Sequence, residues 1–356
     1  MNKKAVIAMS GGVDSSVAAF LSLQQGMDCI GVTMKMFNNG DIGEDIESSC
    51  CSLSDVEDAK DVCYRLGMEH YVFNFCEQFR ENVIERFISS YKCGQTPNPC
   101  IDCNRYIKFK GLLDKAAGLG YDNIVTGHYA QIEKSGDRFI LKKAVDLTKD
   151  QTYVLYSMTQ HELSHTMLPL GGMTKKEVRE IAERENFINA RKHDSQDICF
   201  APNGYYDFIK QYTGEVPKKG DFIDVHGNKI GTHEGILKYT IGQRKGLGVS
   251  FGKPVYVCKI DAKNNTVMLG DETEIFTKTL TAKNINLITC DRLDTPIRVK
   301  ARVRYSQPEQ PAIVWQTGDD EFKVVFDESI RAITTGQAVV LYDGDVVVGG
   351  GTVIGE

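Results

Sequence analysis

The chain lacks any long apolar run. Nothing in its 356 residues approaches the roughly 18 consecutive apolar residues of a membrane-spanning helix, so a helical membrane protein is excluded. Proline is scarce at 9 residues and the 33 glycines follow no period, which excludes a collagen-like chain. There is no fixed-period repeat or low-complexity segment, and 42% hydrophobic with 25% charged residues excludes global disorder and coiled coil. Positive charge is not in excess. Lys and Arg number 42 against 48 Asp and Glu, and the net charge of −6 argues against a uniformly basic nucleic-acid coat while leaving local patches open. Met1-Asn2-Lys3-Lys4 runs straight into a short apolar stretch and glycines without a signal-peptide cleavage pattern, so the expectation is a cytoplasmic protein. Cysteine, by contrast, is plentiful. In a reducing compartment 11 cysteines are structural thiols, metal ligands or catalysts rather than a disulfide framework.

At about 150 residues per domain the length predicts two or three domains. The first half alternates strand-like and helix-like periods. Lys4 to Met9 reads as a strand, Val13 to Gln25 as a helix stopped by Gly26, and Cys29 to Met36 as a second strand. Ser54 to Leu66 reads as a helix, Tyr71 to Phe75 as a third strand followed by helix to about Tyr91, Phe109 to Ala117 as helix and Asn123 to Thr126 as a short buried strand. That alternation predicts a doubly wound parallel sheet. The character changes near Gly204. After a last helix at Tyr205 to Tyr212, short β-rich runs take over at Val255 to Ile260, Thr266 to Leu269, Ile297 to Tyr305, Ala312 to Gln316, Phe322 to Phe326, Ala338 to Tyr342 and Val346 to Gly349. Turn signals at Asn264-Asn265, Gly318-Asp319 and Asp343-Gly344 separate them, predicting one or two small β-barrels. The expected division is a catalytic α/β domain over 1–203, a small β domain over 204–272 and a C-terminal β-barrel over 273–356.

Ser10-Gly11-Gly12-Val13-Asp14-Ser15-Ser16 falls between the first strand and the first helix. Glycine permits close backbone approach, and a helix start offers N–H groups and positive dipole to an anion. The hydroxyls of Ser10, Ser15 and Ser16 add donors, and Asp14 is a candidate ligand for a metal bridging phosphates. The string is not a Walker A loop, since G-x-x-x-x-G-K-[ST] occurs nowhere. It resembles the SGGxDS loop of the ATP pyrophosphatase (PP-loop) superfamily, which cleaves ATP between the α- and β-phosphates. The resemblance implies ATP, with Mg2+, adenylating an acceptor and releasing pyrophosphate.

Three cysteines lie in segments unlike core packing. Thr96-Pro97-Asn98-Pro99-Cys100-Ile101-Asp102-Cys103-Asn104 reads as a proline-bracketed loop entering a helix that carries Lys108 and Lys110, where a thiolate is favoured. His193-Asp194-Ser195-Gln196-Asp197-Ile198-Cys199-Phe200 is polar and loop-like. Cys29, Cys63, Cys76, Cys258 and Cys290 sit in strand- or helix-like runs, where a small buried hydrophobe is the expected role. Cys50-Cys51 and Cys93 fit neither group. A lone C-x-x-C is weak evidence for structural zinc, which needs four ligands.

SGGVDSS, TPNPCIDCN, TGHYA (Thr126 to Ala130), KDQTYVLY (Lys149 to Tyr156), DSQDICF and the β-rich tail together are similar to the tRNA 2-thiouridylase family from end to end. The resemblance implies a PP-loop (HUP-like) catalytic domain that 2-thiolates the wobble uridine of Lys, Glu and Gln tRNAs, read at the anticodon stem-loop. It places ATP on Ser10, Gly11, Gly12, Val13, Asp14, Ser15 and Ser16, with Met34 and Gly127 flanking adenine or ribose. It puts Asn98, Pro99 and Cys100 beside the target base, and His128, Lys149, Asp150, Gln151, Arg304, Tyr305 and Gln337 at tRNA. Cys199 would carry a persulfide and Cys103 would resolve it, leaving a transient disulfide between them. A sulfurtransferase or sulfur-relay protein would supply the sulfur. Many family members have Asp where this chain has Cys100, so the general base is not assigned. Cys100, Cys103 and Cys199 also match a ligand set for a [4Fe–4S] cluster with one iron open to sulfide, and both routes stay open at this level.

Two further patterns carry expectations. Ile297-Arg298-Val299-Lys300-Ala301-Arg302-Val303-Arg304 alternates strictly, so a strand would set four cations on one face, with Tyr305 adjacent for stacking. Arg244-Lys245, inside Gly242 to Gly248, is a second candidate phosphate site. His161-Glu162-Leu163-Ser164-His165 satisfies H-E-x-x-H, the motif of a zinc hydrolase and hence a rival class, although Pro169 and Gly171-Gly172 follow closely.

Overall fold

The computed structural model describes residues 3–38, 53–193, 198–248 and 252–355. The chain forms two compact units, neither contiguous in sequence. The first comprises Met1–Val83, Cys100–Tyr205 and Asp345–Val347, and the second Ile84–Pro99, Tyr206–Gly344 and Val348–Glu356.

The first unit is built on a five-stranded parallel sheet of β1 (Lys4–Ala8), β2 (Asp28–Lys35), β3 (His70–Asn74), β4 (Asn123–Val125) and β7 (Thr166–Met167), in the order β3-β2-β1-β4-β7. The apolar run of β1 is central, and Ala5, Val6 and Ile7 have no exposed surface. α1 (Val13–Gln24) follows β1 directly and packs Val17, Ala18 and Ala19 into the core. It ends as its sequence predicts. Gly26 takes a φ of 74°, and the N–H groups of Gly26 and Met27 donate to the carbonyls of Leu23 and Ser22, closing a left-handed glycine cap. α2 (Leu53–Arg65) covers β2 and β3. A hairpin of β5 (Gln131–Ser135) and β6 (Arg138–Lys142), unforeseen in the sequence, also belongs to this unit. So do the helices Leu112–Gly118 (α3), Gln160–Ser164 (α4) and Lys175–Arg184 (α5).

The second unit holds the β-rich half. A four-stranded sheet runs β10-β11-β8-β9, from β8 (Gly220–Ile223), β9 (Lys229–His233), β10 (Tyr256–Asp261) and β11 (Thr266–Gly270), around a core of Phe222, Tyr239, Val257, Val267 and Leu269. The barrel comprises β12 (Phe276–Leu287), β13 (Ile297–Arg302), β14 (Gln310–Gly318), β15 (Glu321–Arg331), β16 (Ala338–Asp343) and β17 (Val346–Gly355). Its order is β12-β15-β14-β13-β16-β17, and β17 pairs back onto β12, so six strands close with no edge. Leu280, Val299, Ala301, Phe322, Val324, Val339 and Leu341 fill it. Thus the expected α/β sheet followed by a β half is what the protein contains, with one closed barrel and one open sheet. Among the described residues no helix is long and apolar enough to cross a membrane.

Candidate nucleotide and thiol site

The Ser10–Ser16 loop leaves the carboxyl end of β1, the strand from which the sheet order runs outward in both directions, through β2 on one side and β4 on the other. In open parallel sheets ligands bind outside such a switch point. Gly11 adopts a φ of +69°, and a Cβ there would lie 2.7 Å from the Cα of Asp55, so both the turn and the contact require glycine. The serine hydroxyls do something other than the sequence suggests. Ser15 and Ser16 each donate to the Gly12 carbonyl at 3.0 Å, Ser15 Oγ accepts from the Ser10 N–H at 3.2 Å, and Ser16 is fully buried. The hydroxyls therefore bond within the loop, and the first backbone N–H groups of α1 lack the intrahelical acceptors that satisfy later ones.

Four side chains that no local pattern announces complete the loop. Asn189, itself buried, donates to the Gly11 carbonyl at 3.0 Å and to Ser16 Oγ at 2.9 Å. Lys192 reaches the same carbonyl at 3.3 Å while paired with Asp55 at 2.5 Å and Asp58 at 2.6 Å. Asp14 accepts from the Tyr129 hydroxyl at 2.8 Å and from Lys175 Nζ at 2.8 and 2.9 Å through both of its oxygens. These partners lie 115 to 181 residues from the loop in sequence. Only folding brings them there. Gly127 packs directly on the start of α1, where a Cβ would stand 2.7 Å from the Asp14 carbonyl carbon. Met34 is buried near the end of β2, two residues past Val32, whose carbonyl accepts from the Met9 N–H.

The residues expected at tRNA in this unit brace the same region. Gln151 Oε1 accepts from the Tyr129 N–H at 2.8 Å, and the Gln151 N–H donates to the Tyr129 carbonyl at 2.9 Å. Asp150 is buried and accepts from the Ala144 N–H at 3.0 Å and the Thr152 hydroxyl at 2.6 Å, while Lys149 is half-buried. His128 is buried beside Phe109 with its Nδ1 2.8 Å from Thr126 Oγ1. Burial, and then the charge of Lys108, hold its pKa well below the usual imidazole range, so it stands neutral.

Around the cysteines the structure departs from the expected loop. Pro99 opens a helical turn, Pro99–Asp102, which passes into a π-helical stretch, Cys103–Gly111, and then α3. Runs of this width are rare and gather at functional sites. Asn104 pins it, donating to the Val154 carbonyl at 3.0 Å, and Ile107 and Phe109 are fully buried. Cys100 is exposed, Cys103 and Cys199 are half-buried, and Phe200 anchors the Cys199 turn against Phe79 at 5.8 Å between rings. Cys29 and Cys63 behave as packing thiols, pushed up to about 11 and about 12 chiefly by burial. Cys50, Cys51 and Asp194 to Asp197 lie outside the described residues. Among the described residues no group of three His, Cys, Asp or Glu is placed to hold a metal ion.

In the second unit the strand Ile297–Arg302 alternates as expected, with Val299 and Ala301 buried and Arg298 and Lys300 exposed, but it stops before Arg304. Most of its cations have internal partners. Arg298 forms a two-pronged pair with Asp327, and Arg302 donates to the carbonyls of Gln307 and Tyr305. Arg304 donates to the Ile241 and Ala332 carbonyls at 3.2 and 3.1 Å and to Thr334 Oγ1 at 2.5 Å. Tyr305 remains 43% exposed. The same network gathers distant residues. Gln337 Nε2 donates to the Thr96 carbonyl at 2.8 Å and the Thr96 N–H to the Thr335 carbonyl at 2.9 Å, fixing the segment that leads through Asn98 and Pro99. Arg244 and Lys245 are exposed.

Comparison with known proteins fits this layout. A family model described as tRNA methyl transferase HUP domain matches residues 3–203, one described as tRNA methyl transferase PRC-barrel domain matches 206–271, and one described as Aminomethyltransferase beta-barrel domain matches 277–353. The tRNA-specific 2-thiouridylase MnmA of Clostridioides difficile is 53% identical over 356 residues, 99% of this chain and 98% of that protein. The chain belongs to the tRNA-specific 2-thiouridylase family. The family's member from Acetivibrio thermocellus is 50% identical over 355 residues, covering 99% of each chain. Among solved structures, a 4-thiouridine synthetase–RNA complex with bound ATP covers 60% of this chain and 50% of its own at 18% identity and a TM-score of 0.36, a likeness too loose to add to the assignment.

Family membership sets aside the zinc-hydrolase rival, and the geometry explains the motif otherwise. Thr159 caps α4, and Glu162 is its capping-box carboxylate, accepting from the Thr159 N–H at 2.7 Å and hydroxyl at 3.0 Å. His165 is the C-terminal cap, with Nδ1 2.8 Å from the His161 carbonyl. The would-be general base is a helix cap.

Proposed function

We propose that the chain catalyses ATP-dependent 2-thiolation of the wobble uridine of tRNA, in the cytoplasm. The observation that carries this reading is the end-to-end likeness to relatives named tRNA-specific 2-thiouridylase. The methyl-transferase wording of the domain models has no counterpart in the chemistry-bearing residues, because methyl transfer needs neither an adenylating loop nor a pair of half-buried thiols.

Uridine O2 is a poor leaving group. In the first stage O2 attacks the α-phosphorus of ATP, the N3 proton is released and pyrophosphate departs. The α1 N–H groups and the Ser10–Ser16 backbone hold the phosphates, and Gly127 and Met34 border the nucleoside. Asp14 is the loop carboxylate suited to the Mg2+ that accompanies ATP and offsets phosphate charge. In the second stage the terminal sulfur of a Cys199 persulfide attacks C2 and AMP leaves. The Cys103 thiolate then attacks the Cys199 sulfur, forming the Cys103–Cys199 disulfide and leaving 2-thiolated uridine, which regains its proton. A sulfurtransferase or relay protein supplies the persulfide sulfur, and a thiol reductant resets the disulfide. The base must be turned out of the anticodon stack to reach this chemistry. Asn98, Pro99 and Cys100 flank it, while Lys149, Tyr305 and Gln337 serve the tRNA and Arg304 holds the Tyr305 segment through its bonds to Ile241, Ala332 and Thr334. The test is thiolation of a tRNA transcript by protein purified without oxygen, with an iron assay alongside. Iron-free activity with a sulfurtransferase supports the persulfide route, and activity that tracks iron content overturns it.

A further inference from the structure

We infer that Cys100 is a further catalytic thiol: it attacks the Cys103–Cys199 disulfide left by sulfur transfer, takes Cys103 as its partner and frees Cys199 for the next sulfur. The inference rests on the persulfide reading above and deepens it at the step left to an outside thiol, the opening of that disulfide between turnovers.

The three thiols differ in place and exposure. Cys103 and Cys199 are half-buried, and the residue after each is anchored. Asn104 is pinned to the Val154 carbonyl, and Phe200 packs on Phe79. A disulfide between two such sulfurs offers little surface to a bulky reductant, because exchange requires the attacking thiolate to reach sulfur directly. Cys100 is exposed and stands three residues before Cys103. Both lie on one right-handed path. Pro99–Asp102 is helical, Asp102 has φ −65° and ψ −40°, and Cys103 opens the π-helical stretch. Helical geometry sets Cα atoms three residues apart at about 5 Å and on one face, within the range of roughly 4.4–6.8 Å that a disulfide spans. Thiols in C-x-x-C spacing also ionise more readily than isolated ones. Cys29, Cys63 and Cys258 are the opposite case, pushed up to about 11, about 12 and about 11 chiefly by burial, which leaves little thiolate at neutral pH.

The exchange balances without an added oxidant. The Cys100 thiolate, its proton released to solvent, attacks Cys103 Sγ. The Cys100–Cys103 bond forms, the Cys103–Cys199 bond breaks, and the electron pair leaves on Cys199. That thiolate is the form that accepts the next sulfur from the donor protein. The single disulfide has moved to an exposed position, where such bonds are labile. A dithiol protein of the thioredoxin class then reduces it, becoming a disulfide itself and returning both thiols. Proximity favours Cys100 over an external thiol for the first step, since a group held three residues away acts at high effective concentration. The Asp that many family members carry at this position has no sulfur with which to do this.

The test traps the enzyme after one turnover. Full-length iron-free protein is loaded by a sulfurtransferase, separated from it, and given ATP and tRNA transcript without reductant. Acid quenching, alkylation and peptide mass spectrometry then identify the joined cysteines. Wild type should hold Cys100–Cys103, with Cys199 alkylated, in most molecules that made 2-thiouridine. Cys100→Ser and Cys100→Asp should instead hold Cys103–Cys199. With a thioredoxin present, the ratio of steady-state to first-turnover rate should fall about tenfold or more in both variants. A weaker hold on the base would lower both rates alike and leave that ratio unmoved. A Cys103–Cys199 bond in wild type with Cys100 alkylated, or an unchanged ratio in both variants, makes the inference wrong. Wild type that forms 2-thiouridine with no disulfide among these cysteines overturns the persulfide reading instead.

Discussion

The Ser10–Ser16 loop and the Ile297–Arg304 segment look alike in one respect: each is a short sequence crowded with groups suited to phosphate. They part in how those groups are spent. In the loop, Ser15, Ser16, Asn189 and Lys192 tie the side chains and the Gly11 and Gly12 carbonyls inward, and that leaves the α1 N-terminus facing outward. In the segment, Asp327 and a set of carbonyls take up Arg298, Arg302 and Arg304. Internal hydrogen bonding orders the first and engages most of the cations of the second. Counting cations therefore overstates the phosphate-binding capacity of a strand, and counting hydroxyls misplaces the donors of a loop.

Substitutions on both sides sharpen the contrast. Asp14→Ala should have the largest effect, lowering tRNA-dependent pyrophosphate release on the order of 10²- to 10³-fold, as followed by a coupled phosphate assay. Unchanged release would remove Asp14 from the ATP site. Gly11→Ala forces a left-handed backbone costing roughly 1–2 kcal/mol and presses a methyl onto Asp55. We expect a melting temperature several degrees lower and weaker ATP binding, by thermal melt and calorimetry. Just past the strand, Arg304→Ala removes the guanidinium donor from the Ile241 carbonyl and Thr334 Oγ1, while the Ala332 carbonyl keeps the Thr334 hydroxyl, costing about 1–3 kcal/mol. It should lower stability in denaturant titration while the salt dependence of tRNA binding barely moves. Lys300→Ala should do the reverse and least: no change in stability, and a salt slope shallower by about 0.7–0.9, one released ion. If Arg304→Ala changed the slope and Lys300→Ala did not, the comparison would be inverted.

The parts of this molecule legible in sequence are those determined locally. The Lys4–Ala8 strand, the glycine loop and the Gly26 stop follow from neighbouring residues, and so do turns at Asn265 and Gly344, both at positive φ. Strands such as Gln131–Ser135 and Lys229–His233 were not visible, because their mostly exposed side chains leave no alternation. The barrel strand Phe276–Leu287 escaped for a related reason, since its bulges break the period of two. At the site the pattern is the same. SGGVDSS announced the loop, but Tyr129, Lys175, Asn189 and Lys192 reach it only through tertiary folding. The π-helical turn at Cys103 has no composition signal, and H-E-x-x-H was a capping box that happened to be flanked by histidines.

The central claim, that activation of the base and delivery of sulfur are separate steps on one chain, is tested most directly by Cys199→Ser. Pyrophosphate and 2-thiouridine are quantified in parallel from one reaction with tRNA transcript, ATP and a sulfurtransferase. The account predicts that the variant releases pyrophosphate and forms no 2-thiouridine, whereas wild type produces both. Full 2-thiouridine formation by Cys199→Ser would contradict it.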